Sequence, residues 1–132
     1  MHHNKLLKRL SLLVFFILIV NYLAIQFYWY YIIWWFDMPM HFMGGLFLGL
    51  ALLWIFRVKM LSLKSAFYII GGVIFIGLLW EVYEVIVNNY FAQNPFDLID
   101  TLSDLFFDSF GGIMSLVYFY YRIMPVKENN IE

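Results

Sequence analysis

The sequence predicts an all-α, polytopic membrane protein, in which one domain forms a bundle of four transmembrane helices with both termini in the cytoplasm. Hydrophobic residues make up 64% of the 132 positions. Charged residues make up only 13%, against about 25% in a typical soluble domain. Four apolar segments are each long enough to cross a bilayer, which takes about 20 residues in a helix. A soluble globular protein is therefore excluded.

The first span is predicted over residues 10–28, within a stretch that has no charged residue. The segment 27–36 is rich in Tyr and Trp, which indicates an aromatic belt at the headgroup layer, in part as a short interfacial helix. A cleaved signal peptide is the alternative. We expect a mature helix, because the apolar run exceeds the roughly 7–15 residues of a signal-peptide core and no small-residue cleavage site follows it.

The second and third spans are predicted over residues 38–56 and 65–88. Asp37 is predicted to be the N-cap of the second span, with Pro39 in the first turn. That span ends at Arg57, and the third follows a short basic loop.

The fourth span is predicted over residues 96–122. Asn94 and Pro95 are typical of a helix start, and Pro125 is expected to stop the helix. The polar segment 126–132 is expected to be loose. Spans two, three and four each contain a Gly-Gly pair, and small residues let helix backbones approach closely. The pairs are Gly44-Gly45, Gly71-Gly72 and Gly111-Gly112.

All lysines and arginines fall in three segments that four spans place on the same side of the membrane. They are Lys5, Lys8, Arg9, Arg57, Lys59, Lys64, Arg122 and Lys127. Because cytoplasmic loops carry the excess of Lys and Arg, this side is predicted to be cytoplasmic. We therefore expect a multi-pass protein of a bacterial-type cytoplasmic (inner) membrane with both termini inside. The cations form no basic patch, so we expect no nucleic-acid partner.

Seven acidic residues and one histidine fall in the opposite, outer half, where the sequence has no Lys or Arg. The acids are Asp37, Glu81, Glu84, Asp97, Asp100, Asp104 and Asp108, and the histidine is His41. An acidic residue at membrane depth costs roughly 3 kcal/mol or more, so such residues are candidates for a functional site. Cysteine is absent, which excludes thiolate catalysis and a Cys-based metal centre.

The spacing of these residues places them on helix faces. Asp37 and His41 are one turn apart on the same face of the second span. A helix-capping residue followed by an interfacial histidine would have the same spacing, and this is the alternative interpretation of the pair. Glu81 and Glu84 share a face at a helix C-terminus, where the helix dipole opposes both charges.

The four aspartates of the last span form one stripe. The dipole explains Asp97 and Asp100, which lie near the helix N-terminus. Asp104 and Asp108 lie about 6 and 12 Å deeper than Asp100 and have no such explanation.

The three groups meet in the outer third of the membrane, so we predict an outward-facing carboxylate and histidine cleft. The predicted binding residues are Asp37, His41, Glu81, Glu84, Asp100, Asp104 and Asp108. The predicted metal ligands are Asp100, Asp104, Asp108 and Glu81. Carboxylate oxygens with one imidazole suit a divalent cation such as Mg²⁺, Mn²⁺, Ca²⁺ or Zn²⁺. In an enzyme, His41 or Glu84 would be the candidate general acid or base.

The pattern Asp37-x3-His41-Phe42, then Glu81-x2-Glu84, then the aspartate stripe ending at Gly111, resembles small bacterial membrane proteins of the VanZ-like and YjdF-like group. The resemblance covers spans two to four and implies a bundle of this size with a site at these positions. VanZ-like proteins usually have Gln where Glu84 stands, and Asn where this chain has Asp104 or Asp108.

Three functions remain open from the sequence. The first is binding of a divalent cation, a cation-bridged envelope lipid or a cationic lipid or amphiphile, which the lack of outer cations favours. The second is a metal-dependent hydrolase or transferase that acts on a lipid-linked phosphate. The third is a non-catalytic membrane scaffold whose polar stripes hold helices together. Membrane lipids are the expected partners in all three.

Overall fold

The computed structural model describes residues 2–92 and 95–124, and within them it contains helices and no strand. The helices are α1 His2–Gln26, α2 Trp29–Ile32, α3 Asp37–Ile55, α4 Leu63–Val87, a π-helical turn Asn88–Ala92, and α5 Leu98–Arg122. The polar segment 126–132, predicted to be loose, lies outside the described residues, as do Asn94 and Pro125.

Four of these helical segments are long and apolar enough to cross a membrane. They are Asn4–Gln26, Asp37–Ile55, Leu63–Phe91 and Leu98–Arg122. The predicted all-α fold, with four helices long and apolar enough to span a membrane, is therefore confirmed. Between the first two spans, the aromatic segment contains the single helical turn α2.

The starts of α3 and α5 differ from the sequence prediction. Asp37 is the first residue of α3 and does not cap it: the N-cap is Phe36, which already has helical angles and offers no side-chain cap. The Asp37 carboxylate instead lies 3.7 Å from His41, one turn further along the helix. In α5 the cap is Asp97, whose Oδ1 accepts hydrogen bonds from the Ile99 and Asp100 amides at 2.9 and 3.4 Å. Pro95 therefore precedes the helix.

The start of α4 is a reciprocal capping box. Ser62 Oγ accepts a hydrogen bond from the Ser65 amide at 3.1 Å, and Ser65 Oγ accepts one from the Ser62 amide at 2.9 Å. Two otherwise unpaired amides are thus satisfied at the end of the basic loop. At its other end α4 continues into the π-helical turn, a wider winding that often occurs at functional sites.

The tightest helix pair is α3 with α5. A Cβ atom added to Gly45 would collide with the main chain of Asp108, and one added to Gly111 would collide with the main chain of Phe42. Only glycine allows the two backbones to come this close. Helix α4 packs against both α3 and α5, and α1 packs against α3.

The bundle has two chemically different ends. At the basic end, α1 begins, α3 ends, α4 begins and α5 ends, and the described lysines and arginines lie there; Arg9 lies 5.3 Å from the centre of the Tyr118 ring. This half also holds the apolar core: Leu6, Leu10, Leu50, Leu53, Ile69, Leu116, Phe119 and Ile123. At the acidic end α3 begins, α4 ends and α5 begins. The buried carboxylates Glu81, Asp104 and Asp108 lie in that half.

Candidate functional site

The centre of the candidate site is the imidazole of His41, in the second turn of α3. Its Nε2 lies 3.7 Å from Asp37 Oδ2 and 3.7 Å from Asp104 Oδ2. Its Nδ1 lies 3.4 Å from Asp108 Oδ1. Three carboxylates thus surround one imidazole, which even when protonated carries only a single positive charge.

Helix α5 brings two of these carboxylates into the interior. Asp104 and Asp108 are one turn apart, and both are buried, at 3% and 5% residue exposure. Asp37 is different, because 38% of its side chain is exposed at the acidic end. The group therefore has two enclosed carboxylates and one at its entrance.

Gly77 of α4 makes room for the Asp108 carboxylate, and Gly44 of α3 lies within ordinary contact distance of it. A Cβ on Gly44 of α3 would lie 3.8 Å from Asp108 Oδ1, and a Cβ on Gly77 of α4 would lie 2.9 Å from Asp108 Oδ2. The carboxylate is thus held between α3 and α4 with one oxygen beside the imidazole Nδ1. A carboxylate on one ring nitrogen of histidine commonly orients the other nitrogen toward a metal.

The Nε2 side of the ring is where a metal could be held. Asp37, His41 and Asp104 each offer one ligand atom, and these atoms lie within 4.8 Å of one another. In a tetrahedral site with bonds of about 2.1 Å, ligand atoms would lie roughly 3.4 Å apart. The two 3.7 Å distances from Nε2 are close to that separation, whereas the three ligand atoms together lie within 4.8 Å of one another, so the two carboxylates would have to move closer together to hold a divalent cation.

A cavity of about 150 Å³ lies at the acidic end between the end of α4, the π-helical turn and the start of α5. It is lined by Glu81, Glu84, Val85, Asn88, Asn89, Pro95, Phe96, Asp97, Asp100 and Thr101. Four carboxylates, two amides and a hydroxyl therefore surround it. No Lys or Arg is among the described residues that line it.

Glu81 is the most deeply buried of the carboxylates that line this cavity, with 6% residue exposure. The Thr101 side chain lines the same cavity. Glu81 Oε1 is also buried and has no hydrogen-bond partner among the described residues. A buried carboxylate oxygen without a partner carries a substantial desolvation cost.

The aromatic segment reaches the site through Tyr30 and Phe36. The Tyr30 hydroxyl donates a hydrogen bond to Asn21 Oδ1 at 2.8 Å, and its ring packs edge-on against Phe36, with ring centres 5.1 Å apart. Burial raises the pKa of Tyr30 to about 12, and the negative charges of Asp37 and Glu84 add to this effect. The sequence predicts this segment at the interface and indicates no relation to the acids.

The structure divides the predicted binding residues into two groups. Asp37, His41, Asp104 and Asp108 meet around the imidazole, whereas Glu81, Glu84 and Asp100 line the cavity. Of the four predicted metal ligands only Asp104 belongs to the metal-like triad. Spacing alone did not indicate the role of Asn89 in the cavity, because it depends on the π-helical turn.

Fold and site together define a multi-pass helical membrane protein with a buried carboxylate and histidine group at one end of its bundle. Residues 2–124 match the model of a family described as "Predicted membrane protein (DUF2238)". The chain therefore belongs to this family. No curated protein and no solved structure was found to match the chain.

Proposed function

We propose that this chain binds a divalent cation at Asp37, His41 and Asp104 and uses it to hold an envelope lipid. The observation that carries the proposal is the convergence of three ligand atoms within 4.8 Å, two of them on side chains that are at least nine-tenths buried. A bound cation would neutralise carboxylates that have no Lys or Arg near them in the described part of the chain. The open coordination positions would then accept an anionic group of a lipid.

The donor chemistry favours particular ions. Two carboxylate oxygens and one imidazole nitrogen suit Mn²⁺ or Zn²⁺, which accept mixed oxygen and nitrogen ligands. Ca²⁺ takes six to eight oxygens, and Mg²⁺ keeps most of its water. In this proposal Asp108 is a positioning residue, since it contacts Nδ1 and leaves Nε2 to the ion.

We also propose an orientation of the bundle in the membrane and a closer relationship to known protein groups. The chain would be a VanZ-like or YjdF-like protein of a bacterial-type inner membrane, with both termini in the cytoplasm and the acidic end outside. The separation of cations from acids along the bundle supports this orientation. The D-x3-H start of α3 and the aspartate stripe of α5 support the relationship.

A second candidate is a metal-dependent hydrolase or transferase that acts on a lipid-linked phosphate. The observation in its favour is the cavity of about 150 Å³, which places Glu84 at the same end of the bundle as the triad. A carboxylic acid there would be a general acid or base for a reaction at the ion. Turnover of a lipid diphosphate by the metal-loaded protein would distinguish this candidate from binding alone.

The test is the thermal stability of the purified protein in lipid nanodiscs, stripped of metal and then titrated with Mn²⁺, Zn²⁺, Mg²⁺ and Ca²⁺. Binding to the folded state stabilises it by about 2.7 kcal/mol when the ion is present at 100 times its Kd. We expect a saturable rise in Tm with Mn²⁺ or Zn²⁺ that is lost in Asp104→Asn and His41→Ala.

Two variants serve as matched controls. Glu132→Gln removes a carboxylate and His2→Gln removes an imidazole from the two ends of the sequence, and both should keep the full rise in Tm. The absence of any saturable rise, or an equal rise in Asp104→Asn, would overturn the proposal. Full stability of Asp104→Asn without ions would favour the scaffold alternative, because an asparagine amide can still hold helices together by hydrogen bonds.

A further inference from the structure

The loop 56–62 between α3 and α4 forms an exposed, positively charged surface at the basic end of the bundle. Arg57 and Lys59 lie in this loop, Lys64 follows in the first turn of α4, and all three residues are exposed. The sequence has no acidic residue between Asp37 and Glu81, so nothing in this segment neutralises them. The surface is therefore complementary to a negatively charged partner.

The apolar core holds this loop in place. Val58 and Leu61, which are interspersed with the exposed cations, pack against the core of the bundle. Lys64 Nζ lies 6.0 Å from the centre of the Tyr68 ring, within the range of a cation–π contact. Because the backbone that carries the cations is anchored, less conformational freedom is lost when an anion binds to them.

Each of the three cations has a large apolar neighbour in the chain that is more than half exposed. The pairs are Phe56-Arg57, Lys59-Met60 and Leu63-Lys64. A soluble anion would gain nothing from the apolar side chains. A phospholipid offers a phosphate to the cations and acyl chains to the apolar side chains, as at other amphipathic membrane surfaces. The pattern therefore favours a lipid over a soluble anion.

We propose that the loop 56–62 and the first turn of α4 bind the phosphate headgroups of anionic phospholipids. The guanidinium group of Arg57 can donate two parallel hydrogen bonds to one phosphate, and the ammonium groups of Lys59 and Lys64 add point charges. This surface lies at the opposite end of the bundle from the proposed metal triad. Bound lipid would hold the loop at its leaflet and stabilise the folded bundle.

The backbone of Arg57 offers a way to separate charge from packing. Its φ of 50° is in the left-handed region that favours glycine. The Arg57 amide donates a hydrogen bond to the Trp54 carbonyl, and the Val58 amide donates one to the Leu53 carbonyl, both at 3.1 Å. This is the Schellman motif that ends many helices, usually with glycine at the position of Arg57. Arg57→Gly should therefore relieve the backbone while it removes a lipid-binding cation.

The experiment uses the full chain in a neutral detergent, with chelator present so that the metal triad plays no part. The protein is titrated with phosphatidylglycerol or, as the zwitterionic control, with phosphatidylcholine. We expect a saturable rise in Tm with phosphatidylglycerol beyond that with phosphatidylcholine. Native mass spectrometry should show retained phosphatidylglycerol under the same conditions.

Two triple variants test whether the loop is responsible. A Lys or Arg at an anionic membrane surface contributes roughly a fivefold gain in binding, so removal of all three loop cations should weaken the response to phosphatidylglycerol by about tenfold or more. This variant is Arg57→Gln, Lys59→Gln and Lys64→Gln. The matched control removes three cations from the same end of the bundle and should keep most of the response. It is Lys5→Gln, Lys8→Gln and Arg122→Gln.

A pair of glycine variants remains informative if the triple variant does not fold. Arg57→Gly should raise Tm in detergent alone but show a smaller further rise with phosphatidylglycerol than the unaltered chain. Tyr28, near the acidic end, has a similar φ of 57°, and Tyr28→Gly should shift Tm equally with and without phosphatidylglycerol.

Several results would overturn the proposal. They are equal responses to phosphatidylglycerol and phosphatidylcholine, an equal loss of response in the two triple variants, and a full response to phosphatidylglycerol in Arg57→Gly. A rise in Tm with inorganic phosphate that matches the rise with phosphatidylglycerol would also overturn it, because the loop would then bind phosphate without the lipid.

Discussion

Gly45 and Gly71 are both helical glycines of spanning helices, yet their surroundings are opposite. A Cβ on Gly45 would collide with the main chain of Asp108, whereas one on Gly71 would meet no atom within 4 Å. A helix backbone cannot move aside as a flexible side chain can. The same sequence feature, half of a Gly-Gly pair, is therefore essential to packing at one position and unused at the other.

We expect Gly45→Ala to destabilise the protein by about 1–3 kcal/mol or more, because overpacking forces backbones apart. Gly71→Ala should be neutral or stabilising by up to about 1 kcal/mol, since alanine favours the helix. Unfolding of the purified variants in detergent checks both values. Equal losses of stability would contradict the assignment of Gly45 to the α3–α5 contact.

At the residue scale the sequence indicated which side chains are polar but not which atoms meet. The i, i+4 spacing placed Asp37 near His41, which the 3.7 Å distance agrees with. The spacing within α5 did not show that Asp104 and Asp108 would lie on opposite nitrogens of that imidazole. This arrangement depends on the axial position of α5 against α3, which no local pattern encodes.

At the scale of elements, α3 and α5 fit through complementary small residues. A Cβ on Gly49 would collide with the Ser115 side chain, which is fully buried and donates a hydrogen bond to the Gly112 carbonyl at 2.6 Å. The void at Gly49 is thus filled by Ser115 from the facing helix. The contact between Gly49 and Ser115 can be tested by making the side chain at Gly49 larger and the one at Ser115 smaller.

We expect Gly49→Ala alone to be destabilising, because the added methyl group has no space beside Ser115. Adding Ser115→Gly should recover part of the loss by moving the space to the other helix. A double-mutant cycle on unfolding free energies measures this coupling, expected to be about 0.5–3 kcal/mol in the favourable direction. A coupling of zero would show that the two residues do not contact.

The elements themselves were largely predictable, because hydrophobic length is a strong signal in a membrane protein. Four spanning helices follow from four apolar runs. The choice of α5 rather than α4 as the closest partner of α3 was not predictable, since all three helices carry a Gly-Gly pair. The π-helical turn was also missed: its sequence, Asn88–Ala92, has no local feature that distinguishes a π turn from the end of an α-helix.

At the scale of the whole molecule, the distribution of charge along the bundle predicts its orientation. Described cations lie at the basic end and the buried carboxylates in the other half. The chain has no cysteine, so single cysteines can be introduced without removing others. Met60 and Tyr90 are suitable positions, at 51% and 79% exposure near opposite ends.

We expect a membrane-impermeant maleimide to label Tyr90→Cys in intact cells and to label Met60→Cys only after the membrane is permeabilised. The reason is that Met60 lies in the loop with Arg57, Lys59 and Lys64, which the positive-inside rule retains in the cytoplasm. The reverse labelling pattern would show that the acidic end faces the cytoplasm.

The pairing of α3 with α5 also has a consequence for how the protein is made. Synthesis proceeds from the N-terminus, so α3 enters the membrane before its main partner has been translated. Until α5 follows, the glycine surface of α3 and the imidazole of His41 lack the helix that covers them. A chain truncated before Leu98 would therefore have three spans. Its polar, small-residue face would be open to lipid, and such a face favours association with other transmembrane helices.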